Sequence, residues 1–254
     1  MMGILNLTPD SFSDGGRFQD IAAAVEHARK LVADGCDIVD IGGESTRPGA
    51  KPVAADDELR RIEPVMVALA DALDAPLSID TSKASVAASA LKRGAILVND
   101  VWGLQKDPAM ADTVAAAEAA VVIMHNRAEK DETIDIVSDI RAFFDRSLGL
   151  AAKAGIPREH IILDPGIAFA KSSRQNRDVI NRLPEIRDYG LPIMVGISRK
   201  AFLGSLTEGS PEATLAGTLA ASLAAAAGGA ALFRVHDVAE HVAALRVFQA
   251  IRGA

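Results

Sequence analysis

Aromatic side chains are scarce in this chain: 4% of its 254 residues, with a single Trp and a single Tyr. Hydrophobic residues still make up 49%, so a large core is within reach, but it has to be built from Ala, Val, Ile and Leu. Cysteine occurs once, at Cys36, which excludes an internal disulfide. Cys36 precedes an apolar run and reads as a buried thiol. No run approaches the roughly 18 apolar residues of a membrane span. No leader-like segment precedes the first apolar stretch, so the cytoplasm is the expected compartment. Basic charge is in deficit, with 27 Lys and Arg against 34 Asp and Glu and a net charge of −7. That balance argues against a general nucleic-acid surface, and any anion site must be a local cluster. No His, Cys or Asp cluster has zinc-ligand spacing. Nucleophile-elbow and Walker patterns are absent as well.

What the chain does have is a series of eight short, apolar, strand-like runs, each ending in polar residues. Gly3 to Leu5 ends in Asn6, and Ile38 to Ile41 runs into Gly42, Gly43 and Glu44. Leu77 to Ile79 ends in Asp80, and Ile96 to Val98 in Asn99 and Asp100. Val121 to Met124 ends in His125 and Asn126, and Ile161 to Leu163 in Asp164. Ile193 to Ile197 ends in Ser198, Arg199 and Lys200, and Ala231 to Phe233 in Arg234 and His236. A buried strand has little use for a carboxylate in its middle, but its carboxyl end can open onto solvent. Eight such ends describe one crowded polar face. Helical spacing of apolar residues fills the gaps between strands: Asp20–Asp34, Asp56–Leu73, Ser82–Arg93, Asp107–Ala119, Ile134–Ala154, Gln175–Arg187, a helix capped by Ser210 and running to about Ala227, and Val238–Ile251. Strict alternation of strand and helix gives α/β. The length suits one barrel of about 250 residues. The expectation is therefore a (β/α)8 TIM barrel, a single domain over residues 1–254, with the segment before the first strand absent or very short. A doubly wound open sheet is the competitor, but it uses mainly its switch point and not every strand end.

Three features point to phosphate. Ser45, Thr46 and Arg47 offer hydroxyls and a guanidinium after a glycine pair. Ser198, Arg199 and Lys200 offer a hydroxyl and two cations. Arg234 and His236 are two apart and share a face if the segment is extended. Charge-assisted bonds from such a set suit a di-anion. Asp80, Asn99 and Asp164 form a second group, able to read a polar heterocycle through paired hydrogen bonds. Asn6 could equally satisfy a turn, and His125 reads either as a buried structural histidine or as a catalytic one. The loops Leu7–Phe18 and Gly42–Ala55 are rich in Gly, Pro, Ser and Asp and would serve as covers over the site.

Several motifs, in order along the chain, resemble the dihydropteroate synthase family. They are MGILNLTPDSFSDGG (Met2–Gly16), DIGGESTRPGA (Asp40–Ala50), SIDTSKA (Ser78–Ala84), Asn99-Asp100, Met124-His125, LDPGI (Leu163–Ile167), GISRKAFLG (Gly196–Gly204) and RVHDV (Arg234–Val238). The resemblance implies a pterin-binding barrel enzyme, a transferase of folate biosynthesis and a sulfonamide target. It would join 4-aminobenzoate to (7,8-dihydropterin-6-yl)methyl diphosphate by magnesium-assisted loss of diphosphate. By the same resemblance Asn6 looks like the magnesium ligand. Thr46, Arg234 and His236, with Arg47 beside them, would hold the diphosphate. Asp80, Asn99, Asp164 and Lys200 would hold the pterin, with Met124 packed on its ring. Phe12, Pro48, Phe169 and Ser198 would receive 4-aminobenzoate. Asp80, Lys200, Arg234 and His236 carry the catalytic roles. The family implies a homodimer, for which Ala213–Ala227 is the candidate contact, with no nucleic-acid or membrane partner.

Two residues depart from the family pattern. Ala168 and Ala170 stand where the family usually has glycine. Because Ala resists positive φ, the loop after the sixth strand and Phe169 with it are expected to shift. That departure keeps open a non-catalytic paralogue that binds pterin or diphosphate. A pterin-dependent methyltransferase domain is the other alternative, although it has no use for the diphosphate motifs.

Overall fold

In the computed structural model, which describes residues 1–7, 17–45, 50–207 and 210–253, strands and helices alternate throughout. The order is β1 (Met2–Asn6), α1 (Arg17–Ala33), β2 (Ile38–Gly42), α2 (Ala55–Ala72), β3 (Leu77–Asp80), α3 (Ala84–Lys92), β4 (Ala95–Asp100), α4 (Met110–Ala116), β5 (Ala120–Met124), α5 (Ile136–Ala154), β6 (Ile161–Asp164), α6 (Ser173–Asn181), β7 (Met194–Val195), α7 (Ala201–Gly204), α8 (Pro211–Ala227), β8 (Leu232–Val235) and α9 (Val238–Arg252). All pairings are parallel, in the order β6-β5-β4-β3-β2-β1-β8-β7. A parallel bridge between Leu163 and Ile193 joins β6 to the start of β7 and closes the ring. The expected (β/α)8 barrel is the fold observed.

Period-two alternation decides which residues line the inside. In β2, Val39 and Ile41 pack outward in the main core with Leu31, Ile62 and Met66 of the helices. A separate cluster of Met2, Leu97, Val122 and Met194, with Ile38, Ala120, Ile162 and Leu232 against it, fills the amino-terminal end of the barrel interior. Above that plug the interior turns polar. Cys36 is buried as expected, and a Cβ on Gly3 would come within 3.3 Å of it. A glycine there lets α1 and β2 close on β1.

Several element ends differ from the sequence-based expectation for local reasons. Helix α4 starts at Met110, because Asp107 instead accepts the first N–H of α3 at Ala84 (2.8 Å). Helix α6 stops at Asn181, and Pro184 sits in a following 3₁₀ turn over Leu183–Glu185, since proline supplies no N–H to continue the ladder. Its start is fixed by a capping box between Ser172 and Gln175. Strand β7 is only two residues long, and the one-turn helix α7 follows it unforeseen. Ser210 caps α8, with Pro211 opening it as expected.

Candidate active site

Strand register assembles the rim. Asn6 pairs with Gly42, Gly42 with Asp80, and Asp80 with Asn99; on β5 and β6, Met124 pairs with Asp164. A Cβ on Gly42 would lie 3.7 Å from both Asn6 Oδ1 and Asp80 Oδ2. The missing side chain therefore leaves Asn6 and Asp80 facing one small space.

Arg234 lies within β8, paired with Met2, and not beyond its end. Its side chain reaches across the barrel interior to Asp40 (2.6 Å) and Asp80 (2.7 Å). Asp40 Oδ2 also accepts from Asn99 Nδ2 at 3.0 Å. Asp40 is wholly buried and was missed by the sequence reading, which gave a buried strand no use for a mid-strand carboxylate. The barrel supplies that use: the inward face of β2 carries Asp40 and Gly42, and Arg234 balances the charge. Spacing along Asp40-Ile41-Gly42 was the available signal. Burial works against the Arg234 charge, but Asp40 and Asp80 outweigh it and raise its pKa.

Three acceptors in this network have no partner among the described residues: Oδ1 of Asp40, of Asp80 and of Asn99. Buried acceptors without partners are costly, and two of them belong to residues expected to read a heterocycle. Burial pushes Asp80 up to about 7, against the attraction of Arg234. Burial likewise raises Asp164 to about 6, opposed by the N–H of Gly166 on its Oδ1 (2.7 Å). Lys200 is lowered by burial to about 8, with Asp164 and Asp80 holding it up. Carboxylates and an ammonium with pKa values drawn towards neutrality mark a cleft built for chemistry.

Lys200 Nζ lies 4.5 Å from the centre of the Phe169 ring, so the structure joins these two predicted residues. The two alanines do not escape the backbone conformation that the glycine pattern implies. Ala168 (φ 65°) and Ala170 (φ 43°) adopt the left-handed conformation that glycine adopts freely. Ser198 is expected beside 4-aminobenzoate, yet its hydroxyl is held by His236, through Nδ1 (3.0 Å) and the backbone N–H (3.2 Å). Arg199 is bound to Asp237, leaving Lys200 as the cation of that segment that faces Asp164 and Asp80. Burial lowers His236 to about 4, helped by Arg199 and Arg234.

His125 takes the structural alternative in an unexpected form. It is fully buried between Asp139 (3.0 Å) and Lys171 (2.8 Å). Lys171 carried no sequence signal, because its partners come from β5 and from its own loop. Phe12, Thr46, Arg47 and Pro48 lie outside the described residues. Near them, Glu44 accepts from Val53 N–H (3.0 Å) and pairs with Lys83, which also binds Glu58 (2.6 Å). Among the described residues no group of three His, Cys, Asp or Glu could cage a metal ion. Asn6 offers one oxygen beside Asp80, which suits an ion such as magnesium that keeps water and phosphate oxygens as its other ligands. No helix among the described residues is long and apolar enough to cross a membrane.

The sequence signature of a family described as pterin binding enzyme matches residues 2–236. The dihydropteroate synthase of Bacillus subtilis is 44% identical over 238 residues, covering 94% of this chain and 83% of that protein. That of Clostridium beijerinckii is 43% identical over 248 residues, covering 97% and 92%. Among solved structures, the Clostridium difficile dihydropteroate synthase in the presence of pteroic acid superposes with a TM-score of 0.95 at 48% identity, covering 98% of this chain and 95% of that one. The Xanthomonas albilineans enzyme with 4-aminobenzoic acid gives 0.95 at 43% identity, covering 100% and 93%.

Proposed function

The chain belongs to the pterin-binding enzymes and among them to the dihydropteroate synthases, and from that premise we propose how its residues divide the reaction. A dihydropteroate synthase joins 4-aminobenzoate to (7,8-dihydropterin-6-yl)methyl diphosphate, giving 7,8-dihydropteroate and diphosphate. The observation that carries the assignment of roles is the set of unpaired buried acceptors, Asp80 Oδ1 and Asn99 Oδ1, at one rung of the barrel. A dihydropterin presents N–H donors on both of its rings, and these are the partners such acceptors lack. Asp164 on β6 and Lys200 after β7 complete the pocket, and Met124 forms its floor beside Asp164. Asp40 is a positioning residue here. It holds Asn99 and Arg234, and so fixes where Asp80 can sit.

Arg234 has five N–H donors, of which Asp40 and Asp80 engage two nitrogens. With 17% of its side chain still exposed, it retains donors for the diphosphate, as does His236 once Ser198 has oriented the ring. By the family resemblance, Thr46 and Arg47 would complete this subsite. Magnesium, held by Asn6, would supply further neutralisation of the leaving diphosphate. The bond between the pterin methylene and the diphosphate oxygen breaks with its electron pair going to the diphosphate. The Asp80 carboxylate, close to the electron-poor methylene, stabilises the positive charge left behind. The aniline nitrogen then forms the new C–N bond and loses its proton. Phe169, packed under Lys200, together with Phe12, Pro48 and Ser198, would line the 4-aminobenzoate end. No protein nucleophile is required, since positioning supplies the rate.

We also propose a homodimer. Leu215, Leu219 and Leu223 form a half-covered stripe on α8, and Val247 and Ile251 of α9 are 60% and 79% exposed. Equilibrium sedimentation decides this. The reaction itself is tested by diphosphate release that depends on both 4-aminobenzoate and magnesium. Folded protein that binds pterin but releases no diphosphate would overturn the catalytic reading.

A further inference from the structure

The loop between β6 and α6 carries an unusual backbone. Gly166 (φ 67°), Ala168 (φ 65°) and Ala170 (φ 43°) all have left-handed φ within five residues, and two of them carry the Cβ that opposes it. Something must hold this shape. A Cβ on Gly166 would lie 2.0 Å from the carbonyl oxygen of His125, so the loop is pressed onto the end of β5. Lys171 sits at the join, with its ammonium buried. Burial lowers its pKa to about 7, opposed by Asp164 and Asp139, and in the charged form its three N–H bonds have three acceptors: His125 Nδ1 (2.8 Å), Gly166 O (2.8 Å) and Phe169 O (3.2 Å). His125 can accept at Nδ1 because its other nitrogen faces the Asp139 carboxylate at 3.0 Å, which assigns the proton to Nε2. Burial holds the His125 pKa down to about 4, keeping the ring neutral and the acceptor free. The chain Asp139, His125, Lys171 therefore runs from α5, through the end of β5, into the carbonyls on either side of Ala168.

We propose that Lys171, oriented by His125 and Asp139, is a positioning residue for the 4-aminobenzoate subsite: it staples the β6-α6 loop in its left-handed form and so sets Phe169 beneath Lys200. This rests on the reading of the barrel as a dihydropteroate synthase. The staple acts on one substrate more than the other. Phe169 hangs from a carbonyl that Lys171 holds, whereas the backbone of Asp164 is fixed by the pairing of β6 with β5. Loss of Lys171 should loosen the aminobenzoate end and spare the pterin end.

The experiment compares wild type, Lys171→Met and Asp139→Ala, the last a half-exposed α5 residue whose loss leaves no buried hole. Hydrogen exchange of residues 165–172 should quicken about tenfold in Lys171→Met and less in Asp139→Ala. The KM for 4-aminobenzoate should rise about tenfold and about threefold respectively, with pterin KM and kcat within twofold of wild type. Adding Ala168→Gly and Ala170→Gly to Lys171→Met should recover part of the lost KM, because glycine holds the left-handed form without a staple. Unchanged exchange in 165–172, or equal losses for both substrates, would overturn the proposal. Should Lys171→Met not fold, the Asp139→Ala split decides alone. Wild-type protein inactive in the same assay would instead count against the synthase reading, while the exchange result still tests the staple.

Discussion

Replacing Ala168 and Ala170 by glycine should make this protein more stable, contrary to what glycine does almost everywhere else. Each alanine sits at positive φ, 65° and 43°, where an L-residue costs about 1–2 kcal/mol. Glycine removes that cost but adds freedom to the unfolded chain, worth about 0.4–1 kcal/mol against folding. The difference is about 0.5–1 kcal/mol gained per site. The two sites share one loop, so the double variant is expected to gain about 1–2 kcal/mol without strict additivity. For a chain of this size that corresponds to roughly 2–8 °C in Tm. Equilibrium urea unfolding gives the free energy and a thermal scan the Tm. The control is Ala23→Gly, at an exposed position of α1, where helical backbone makes glycine destabilising by about 1 kcal/mol. The reasoning is refuted if the loop variants lose stability in step with the α1 control. It is also refuted if the double variant matches the parent, since the backbone would then carry no strain at these alanines.

Three further outcomes follow from the polar interior. Asp40→Ala leaves Arg234 with one carboxylate of two and should cost about 3 kcal/mol or more in urea unfolding, with weaker pterin binding by calorimetry. Because burial raises Asp80 to about 7, its charged form is present above that pH and lost below it. The kcat/KM for the pterin substrate should therefore climb about tenfold per pH unit up to a break near 7. Asp80→Asn should abolish that limb and lower kcat more than pterin affinity; equal loss of both would contradict the role given to its charge. Lys200→Ala removes the cation shared by Asp164 and Phe169, so KM should rise for both substrates in steady-state assays, and unchanged kinetics would remove it from the site.

Strand positions and the crowded rim were legible because both are local signals: apolar runs of fixed length, with polar residues at their ends. Asp80, Asn99 and Asp164 were found on that basis. Asp40 was not, because a carboxylate inside an apolar run looks unfavourable until a partner 194 residues later is known to reach it. Arg234 was read as a strand-end residue for the same reason, although its inward direction within β8 depends on pairing with β1. Lys171 was invisible in a different way, since its burial follows from a backbone turn that alanine should resist. Helix ends failed where a side chain served a neighbour, as Asp107 serves α3.

The bond from Arg234 to Asp40 spans 194 positions, and that to Asp80 spans 154. Synthesis at about 5–20 residues per second therefore exposes Asp40 for roughly 10 to 40 seconds before its counter-charge exists. During that interval β2 and β3 cannot bury their carboxylates as the finished barrel does. A nascent chain halted before β8 holds Asp40 and Asp80 without the guanidinium that pairs with them, so β8 also brings the charge that lets the first strands settle. Insertion of β8 and completion of the catalytic centre are thus one event, and a chain cut before β8 is left unable to mimic the functional protein.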